Sequence, residues 1–203
     1  MYYNDSVTDT SDSERALKRL GHGPSLAGGD AHLAGVTGRA MPALRLESTG
    51  GPVALTELAA NLLVLFVYPH ATGLRGAPVA GWDLIPGARG CTAQSCAFRD
   101  EHARLSALGA TVAGLSVQTV GEQREFAARV GLTYPLISDP ERRLAAALGL
   151  PTFGAGGRAF YERLALIAIR GRVGKVFHPV PEPERNAAEV ADWLERKHEL
   201  DAD

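Results

Sequence analysis

An α/β fold with a mixed central sheet flanked by helices is predicted from the order of apolar segments in this sequence. From about residue 41 onward, segments typical of strands alternate with segments typical of helices, and this alternation favours parallel neighbouring strands. Two late apolar strands are joined by Arg170-Gly171-Arg172, which indicates a hairpin and adds an antiparallel edge. The predicted strands are residues 53–55, 62–68, 110–117, 134–137, 164–169 and 173–177. The predicted helices begin at residues 56, 92, 121, 139 and 184.

The first half of the predicted domain is built around one buried strand. Residues 62–68 are an uninterrupted apolar run, typical of a central strand covered on both faces, and Pro69 ends it. Residues 70–90 contain five glycines and two prolines and are predicted to form a long loop. A loop of this length inside a compact domain is often functional. The helix at 92–108 follows, with an apolar stripe that ends before Gly109.

The second half repeats the alternation and ends in a helix. Residues 110–117 are the next predicted strand, and Gly131 is a stop signal for the helix at 121–130. Pro140 suits the first turn of the short helix that ends at Gly149. The last helix, predicted over 184–197, carries alanine and leucine on a shared face. A thioredoxin-like sandwich satisfies this order, and a flavodoxin-like sheet is the alternative. The flavodoxin-like alternative would require a phosphate-binding glycine turn, and no G-x-G-x-x-G or G-x-x-x-x-G-K-[ST] motif is present.

Composition limits the classes of protein that this chain can be. Its 203 residues are 45% hydrophobic and 22% charged, which suits one globular domain, predicted over 41–197. Residues 1–40 are predicted to be a flexible extension and 198–203 a tail. A net charge of −2 argues against nucleic-acid or anionic-lipid partners, and the longest apolar run is too short to span a membrane. The chain starts with neither a basic segment nor an apolar one, so a cytoplasmic location is expected.

The chain has two cysteines, Cys91 and Cys96. Cytoplasmic thiols are kept reduced, which argues against a structural disulfide, and two cysteines fall short of a zinc site. Redox chemistry and two unrelated buried thiols remain as interpretations. Cys91 lies where a loop becomes a helix, and the helix dipole, with Arg89 and Arg99 nearby, would favour its thiolate form. A thiolate at this position is a suitable nucleophile.

The spacing of the two cysteines has a geometric consequence. Five residues of α-helix separate their Cα atoms by about 8–9 Å, whereas a disulfide needs less than about 7 Å. A bond between them therefore requires the helical turn to unwind. This suits a cycle in which Cys91 becomes a sulfenic acid and Cys96 then condenses with it. It argues against a disulfide reductase of the thioredoxin type, whose Cys-x-x-Cys keeps the sulfurs within reach.

Over about residues 40–197 the sequence resembles the peroxiredoxins of the bacterioferritin-comigratory, or peroxiredoxin Q, branch. The segments that carry this resemblance are Tyr68-Pro69, Gly90-Cys91-Thr92, Cys96, Phe98-Arg99-Asp100, Leu115-Ser116-Val117, Phe126 and Pro135 to Asp139. The resemblance implies a thioredoxin-like fold and reduction of hydrogen peroxide or organic hydroperoxides. It implies thioredoxin or a similar dithiol protein as reductant, and neither a metal nor an organic cofactor.

The resemblance also implies roles for individual residues. Cys91 would attack the peroxide, Cys96 would resolve the product, and Arg163 lies where the family keeps a peroxide-binding arginine. The family motif has a proline seven residues and a threonine or serine three residues before the attacking cysteine. Here those positions are Leu84 and Ala88, so Pro69 and Thr72 are interpreted as the family's residues, displaced by an insertion over roughly 74–88. Thr72 would then orient the peroxide if the inserted loop bulges out and returns; otherwise Thr92 or backbone N–H groups must substitute.

The predicted site comprises two sets of residues. The catalytic set is Cys91, Cys96, Arg163 and Thr72, and the substrate-binding set is Pro69, Arg99, Gly90 and Thr92. Several residues also have plainer interpretations. Arg99 and Asp100 could be a pair on the helix surface, and Arg163 an exposed residue at a strand end. For His70 a solvated loop residue is the favoured interpretation, and for Trp82 a loop anchor. A redox-sensing interaction protein switched by the Cys91–Cys96 disulfide is the alternative function, and the chain is expected to be a monomer or a homodimer.

Overall fold

The computed structural model describes residues 33, 35–72 and 79–202. The strands are β1 (Arg45–Ser48), β2 (Val53–Ala54), β3 (Leu62–Val67), β4 (Thr111–Ser116), β5 (Leu136–Ser138), β6 (Thr152–Ala155), β7 (Arg158–Tyr161), β8 (Leu164–Ile169) and β9 (Arg172–Phe177). The helices are α1 (Leu55–Leu58), α2 (Cys91–Asp100), α3 (His102–Ala107), α4 (Val120–Val130), α5 (Arg143–Leu148) and α6 (Asn186–Ala202), with one 3₁₀ turn at Trp82–Leu84. The order of elements along the chain is therefore the predicted alternation of strands and helices.

Seven strands form a mixed sheet in the order β2-β1-β5-β4-β3-β8-β9. Strands β3, β4 and β5 are parallel, whereas β3 and β8 are antiparallel, with Val67 opposite Leu164. The interior of β3, from Leu63 to Val67, has no exposed surface, as the uninterrupted apolar run predicted. The carboxyl ends of β3 and β4 thus lie side by side with the start of β8.

Each face of the sheet has its own apolar core. On one face, Phe66 stacks on Phe98 of α2 with ring centroids 4.5 Å apart, and α3, α4 and α6 complete the layer. On the other face, α1, α5 and a separate hairpin of β6 and β7 cover the sheet. The helix ends follow the sequence signals, because Thr119 and Glu122 form a capping box at α4 and Gly131 ends it. Within 33, 35–72 and 79–202, no helix is both long and apolar enough to cross a membrane.

The structure differs from the predicted elements in four places. The helix predicted from residue 139 begins only at Arg143, so Pro140 lies before its first turn. The helix predicted over 92–108 is two helices, α2 and α3, that meet at Glu101. Strand β1 was not predicted, and neither was the β6–β7 hairpin. The hairpin turns at Gly156 and Gly157, both with positive φ, and its glycine-rich sequence gives no strand-like apolar alternation. Its strand character comes from mutual pairing and from packing against the core.

The structured part of the chain also begins and ends at different residues from those predicted. Residues 1–32 and 34 of the predicted extension lie outside the described residues. Within 35–40 the chain packs on the domain: Val36 is buried, Gly38 N donates to the carbonyl of Val173 at 2.7 Å, and Arg39 donates to the carbonyl of Leu148 at 3.0 Å. At the other end, α6 continues through the predicted tail to Ala202.

Candidate active site

Cys91 is the first residue of α2 and is only 4% exposed. Gly90 precedes it in the left-handed conformation, with φ of 93°. The unpaired N–H groups of the first helical turn therefore lie beside the sulfur, and together with the helix dipole they favour an anion. The Sγ atom lies 3.2 Å from Nη2 of Arg163 and 3.5 Å from the carbonyl oxygen of Ala88. The sulfur thus has a cationic donor on one side and a neutral carbonyl acceptor on the other.

Arg163 is held by neutral groups that leave its positive charge available to the sulfur. Nη1 donates to Oε1 of Gln94 at 2.6 Å, and Nη2 donates to the carbonyl of Arg89 at 2.6 Å. The carbonyl of Gly87 accepts a longer bond from Nη2 at 3.3 Å. Among the described residues no carboxylate bonds this guanidinium, which is 4% exposed. The charge on Arg163 is thus directed at Cys91 rather than neutralised by a protein anion.

A cavity of about 230 Å³ opens beside the sulfur. The lining residues that matter for the chemistry are His70, Thr72, Trp82, Gly90, Cys91 and Thr92. Three of the sequence-predicted site residues, Thr72, Gly90 and Thr92, therefore share a cavity with Cys91. This volume is large enough for a small organic molecule as well as for water-sized ligands.

Thr72 lies at the cavity next to Cys91. Thr72 lies on the cavity although the insertion follows it directly in sequence. The backbone before it is clamped by Gln118: Ala71 N donates to Oε1 at 2.8 Å, and Nε2 donates to the carbonyl of Ala71 at 3.1 Å. Arg129 also donates to the carbonyl of Thr72 at 2.9 Å. The described residues on either side of the insertion, Thr72 and Trp82, therefore line one cavity with Cys91.

The second half of the insertion is a wall of the site. Trp82 is 2% exposed, and its ring packs edge-on against Phe160 with centroids 4.9 Å apart. Phe153 lies 6.0 Å away, and Ile85 and Ala88 are buried in the same core. Trp82 is therefore an anchor, the interpretation favoured from the sequence. Its packing fixes the segment whose backbone carbonyls hold Arg163.

The structure overturns the interpretation of His70 as a solvated loop residue. The residue is 7% exposed because the Trp82 segment covers it, with ring centroids 6.0 Å apart. Burial lowers the pKa of His70; Arg158 lowers it further and Glu122 opposes this shift. His70 is thus neutral at neutral pH and contributes an uncharged ring to the cavity. No local sequence signal predicts this, because the covering residue belongs to an inserted loop.

Two other predicted binding residues lie away from the cavity lining. Arg99 bonds the carboxylate of Asp100 at 2.9 Å and the carbonyl of Val130 at 2.5 Å, on the surface of α2. This position matches the surface-pair interpretation of Arg99 and Asp100. Pro69 is buried at the end of β3, between the sheet and Thr72.

Cys96 lies half-buried on α2, in the same unbroken helix as Cys91, and both thiols are free. Tyr134 donates its hydroxyl to the carbonyl of Ser95 at 2.6 Å, next to the second cysteine. Burial raises the pKa of Tyr134, so its phenol stays protonated and remains a donor. The helix is therefore intact and braced, and the two sulfurs can meet only after α2 opens.

Two glutamines of the site were not predicted. Gln94 is fully buried and connects Arg163 to Asn186, and Gln118 clamps the segment before Thr72. Gln94 follows Cys91 by three residues, so both lie on one face of the helix. Gln118 follows β4, whose end adjoins that of β3. Both positions could have been found as polar residues beside the predicted nucleophile and beyond a parallel strand end.

Replacing Gly90 with alanine is expected to lower the free energy of unfolding by about 3 kcal/mol, because it combines a left-handed backbone with overpacking. A Cβ at this position would lie 2.7 Å from Cγ of Pro183. Gly87 is a matched control, since its φ is 74° and a Cβ there meets nothing within 4 Å. Gly87→Ala should cost only about 1 kcal/mol, for the backbone alone. Urea unfolding measures both changes. Equal losses of unfolding free energy in the two variants would show that the close approach of Pro183 to Gly90 adds no cost.

Residues 36–192, which contain Cys91, Cys96 and Arg163, match the redoxin family. The chain belongs to the redoxin family. The match covers most of the chain and includes every site residue predicted from the sequence. The candidate site of this redoxin thus lies inside the shared domain.

Two named relatives show which peroxiredoxins this redoxin is similar to. It is 30% identical over 161 residues to "Peroxiredoxin Q, chloroplastic" of Arabidopsis thaliana, a match covering 77% of this chain and 66% of that protein. It is 33% identical over 115 residues to "Peroxiredoxin bcp1" of Schizosaccharomyces pombe, covering 56% and 51%. These similarities confirm the resemblance to the peroxiredoxin Q branch. The redoxin spans less than two thirds of the length of either relative.

Solved structures confirm the thioredoxin-like fold. Peroxidoxin BcpB from Mycobacterium tuberculosis matches with a TM-score of 0.65 at 26% identity, covering 79% of this chain and 96% of that one. Peroxiredoxin Q from Xanthomonas campestris matches with a TM-score of 0.62 at 24% identity, covering 77% and 94%. At the identity of the second match the likeness concerns the fold alone. The mixed sheet flanked by helices is therefore the shared architecture.

Proposed function

We propose that this redoxin is a thiol peroxidase that reduces hydrogen peroxide or organic hydroperoxides. Cys91 is the attacking thiol and Cys96 the resolving thiol, and thioredoxin or a similar dithiol protein recycles them. The observation that carries the proposal is the 3.2 Å contact between Arg163 and Sγ of Cys91, a residue that lines the cavity. A buried thiol beside an uncompensated guanidinium at a helix start has the environment of a nucleophile rather than of a packing residue.

The first step oxidises Cys91. Its thiolate attacks one oxygen of the peroxide, the O–O bond breaks, and the departing oxygen takes a proton and leaves as water or an alcohol. Arg163 stabilises the thiolate and the negative charge that develops on the two oxygens. The hydroxyls of Thr72 and Thr92, which lie on the same cavity, orient the peroxide. The sulfur is left as a sulfenic acid.

The second step joins the two cysteines. Helix α2 unwinds between them, Cys96 attacks the sulfur of Cys91, and water leaves as the S–O bond is exchanged for an S–S bond. A dithiol reductant then attacks the disulfide, becomes oxidised itself and restores both thiols. The positions of the two thiols support this order, because the buried Cys91 lines the cavity that would admit the peroxide, whereas the half-buried Cys96 is not among the residues that line it.

Intact-mass analysis after one equivalent of peroxide tests the proposal. The wild-type chain should lose two hydrogens through an internal disulfide. Cys96→Ser should instead gain one oxygen, trapped as a sulfenic acid on Cys91, and Cys91→Ser should remain unchanged. The two serine variants control for each other, since each keeps one thiol. Oxidation of Cys91→Ser, or peroxide consumption by it in the presence of thioredoxin and its reductase, would overturn the assignment of roles.

A further inference from the structure

The first turn of α2 is locked to the start of α6 by a buried pair of amides. Gln94 Nε2 donates to Oδ1 of Asn186 at 2.9 Å, and neither residue has exposed surface. Gln94 also accepts the bond from Arg163, so it links the guanidinium at the reacting sulfur to the last helix. The pair is separated by 92 residues in sequence, and its bond belongs entirely to the tertiary fold.

A second contact ties the same two segments together. The ring of Pro183, three residues before Asn186, lies so close to Gly90 that a Cβ there would be 2.7 Å from Cγ. Apolar residues of α6 continue this contact, since Cys91 belongs to the same core cluster as Ala187 and Val190. Pro183 and Asn186 are called the α6 clamp below. The clamp therefore contacts Gly90, the residue before Cys91, and Gln94, which lies between the two cysteines.

The clamp matters because disulfide formation displaces the residues that it holds. Gln94 lies between Cys91 and Cys96, and in an intact helix the two Cα atoms are too far apart for a disulfide. Opening of α2 therefore moves Gln94 and breaks its bonds to both Arg163 and Asn186. Breaking a fully buried hydrogen bond opposes that opening, because the released groups lose their partners. The strength of the clamp thus sets how readily the opened conformation forms.

We propose that Asn186, acting through Gln94, is a positioning residue that controls how oxidised Cys91 partitions between two fates. In one fate the sulfenic acid condenses with the Cys96 thiol, forming the S–S bond and releasing water. In the other, a second peroxide transfers an oxygen to the same sulfur, forming a sulfinic acid and releasing water or an alcohol. The clamp keeps α2 folded and the sulfur at the cavity, which favours the second fate at the expense of the first. The inference rests on the proposed peroxidase function.

The test measures this partition in Asn186→Leu, which removes the polar partner at similar volume. Disulfide formation after a peroxide pulse should speed up about fivefold, the factor expected for loss of one net buried hydrogen bond. The sulfinic fraction at high peroxide should fall correspondingly, while the rate of the first oxidation changes little. Rapid acid quenching followed by intact-mass analysis separates the three species. An unchanged disulfide rate and sulfinic fraction would overturn the proposal.

Two further variants keep the test decisive. Val173→Ala removes buried methyl groups from the opposite core layer, and it should leave the partition unchanged even though it lowers overall stability. If Val173→Ala shifts the partition as Asn186→Leu does, the cause is the loss of overall stability, and the proposed role of the clamp is wrong. Pro183→Ala changes a half-buried residue and tests the clamp even if Asn186→Leu fails to fold. It should shift the partition between disulfide and sulfinic acid in the same direction by a smaller factor. An unchanged partition in this variant would contradict the role of the clamp.

Failure of the underlying function gives a different result from failure of the clamp. If Cys91 is not the attacking thiol, the wild-type chain forms no sulfenic acid on that residue, and no partition exists in any variant. If only the clamp is wrong, the wild-type chain and Asn186→Leu form the sulfenic acid and divide it between disulfide and sulfinic acid in the same ratio.

Discussion

Replacing Arg163 with glutamine is expected to slow the first oxidation of Cys91 by about 10²–10³-fold, the loss typical when a preorganised donor is removed from a developing anion. Arg163 contacts the sulfur at 3.2 Å, and its charge is not neutralised by any carboxylate among its described partners. Glutamine keeps a polar side chain but supplies neither the positive charge nor the planar set of N–H donors of a guanidinium. The rate of peroxide consumption at saturating reductant gives the measurement, with Cys91→Ser as the background.

Two controls separate catalysis from stability in this experiment. Arg163→Lys keeps the charge but loses the planar donors, so it should recover part of the rate. Arg172→Gln removes an arginine that lies on the outer strand β9 and bonds the carbonyl of Gly38, outside the cavity; it should retain the wild-type rate. An Arg163→Gln protein that folds normally and consumes peroxide as fast as wild type would contradict the role given to Arg163.

Replacing Asp139 with alanine is expected to lower the free energy of unfolding by about 4 kcal/mol, because three donors, two of them buried, lose their acceptor. Asp139 has no exposed surface. Its carboxylate accepts the N–H groups of Arg143 and Leu144, each at 2.9 Å, and the hydroxyl of Tyr161 at 2.6 Å. It therefore joins the start of α5 to β7, whose end leads directly to Arg163.

Tyr161→Phe is the matched control for the Asp139 prediction. It removes one of the three donors to Asp139, together with the acceptor of the Ala145 N–H at 3.1 Å, and leaves the bonds from the N–H groups of Arg143 and Leu144 intact. It should therefore cost only about 1.5 kcal/mol. Urea unfolding of both variants, followed by the double variant, measures the coupling between the two side chains. If the two substitutions have independent, fully additive effects, Asp139 does not support the hairpin through Tyr161.

The sequence predicts the nucleophile and its spacing because both are local. Cys91 at a loop-to-helix junction and Cys96 five residues later can be recognised without knowing any distant contact. The central strand was equally clear, since residues buried on both faces form a continuous apolar run. The β6–β7 hairpin was missed because glycines interrupt its pattern, and its strand character depends on pairing and packing rather than on residue preference.

The contacts that surround Cys91 were beyond local sequence patterns. Arg163 was placed near the site only through its resemblance to a family position, whereas Gln94, Gln118 and the burial of His70 were not predicted. Of the two carbonyls that bond Arg163, that of Gly87 lies in the insertion and that of Arg89 directly follows it. From the sequence alone, the insertion mattered mainly because it could move Thr72 away from Cys91. The structure shows instead that Trp82 anchors the insertion as a wall of the cavity.

By itself, the sequence determined the α/β order, the central strand and the identity of the two thiols, because each follows from residue type and from spacing over a few positions. The tertiary structure alone decided what surrounds Cys91. Its bond to Arg163 spans 72 residues of sequence, and the bond from Gln94 to Asn186 spans 92. Contacts of this kind depend on how the sheet edge, the inserted loop and the last helix pack together, and no short stretch of sequence encodes that packing.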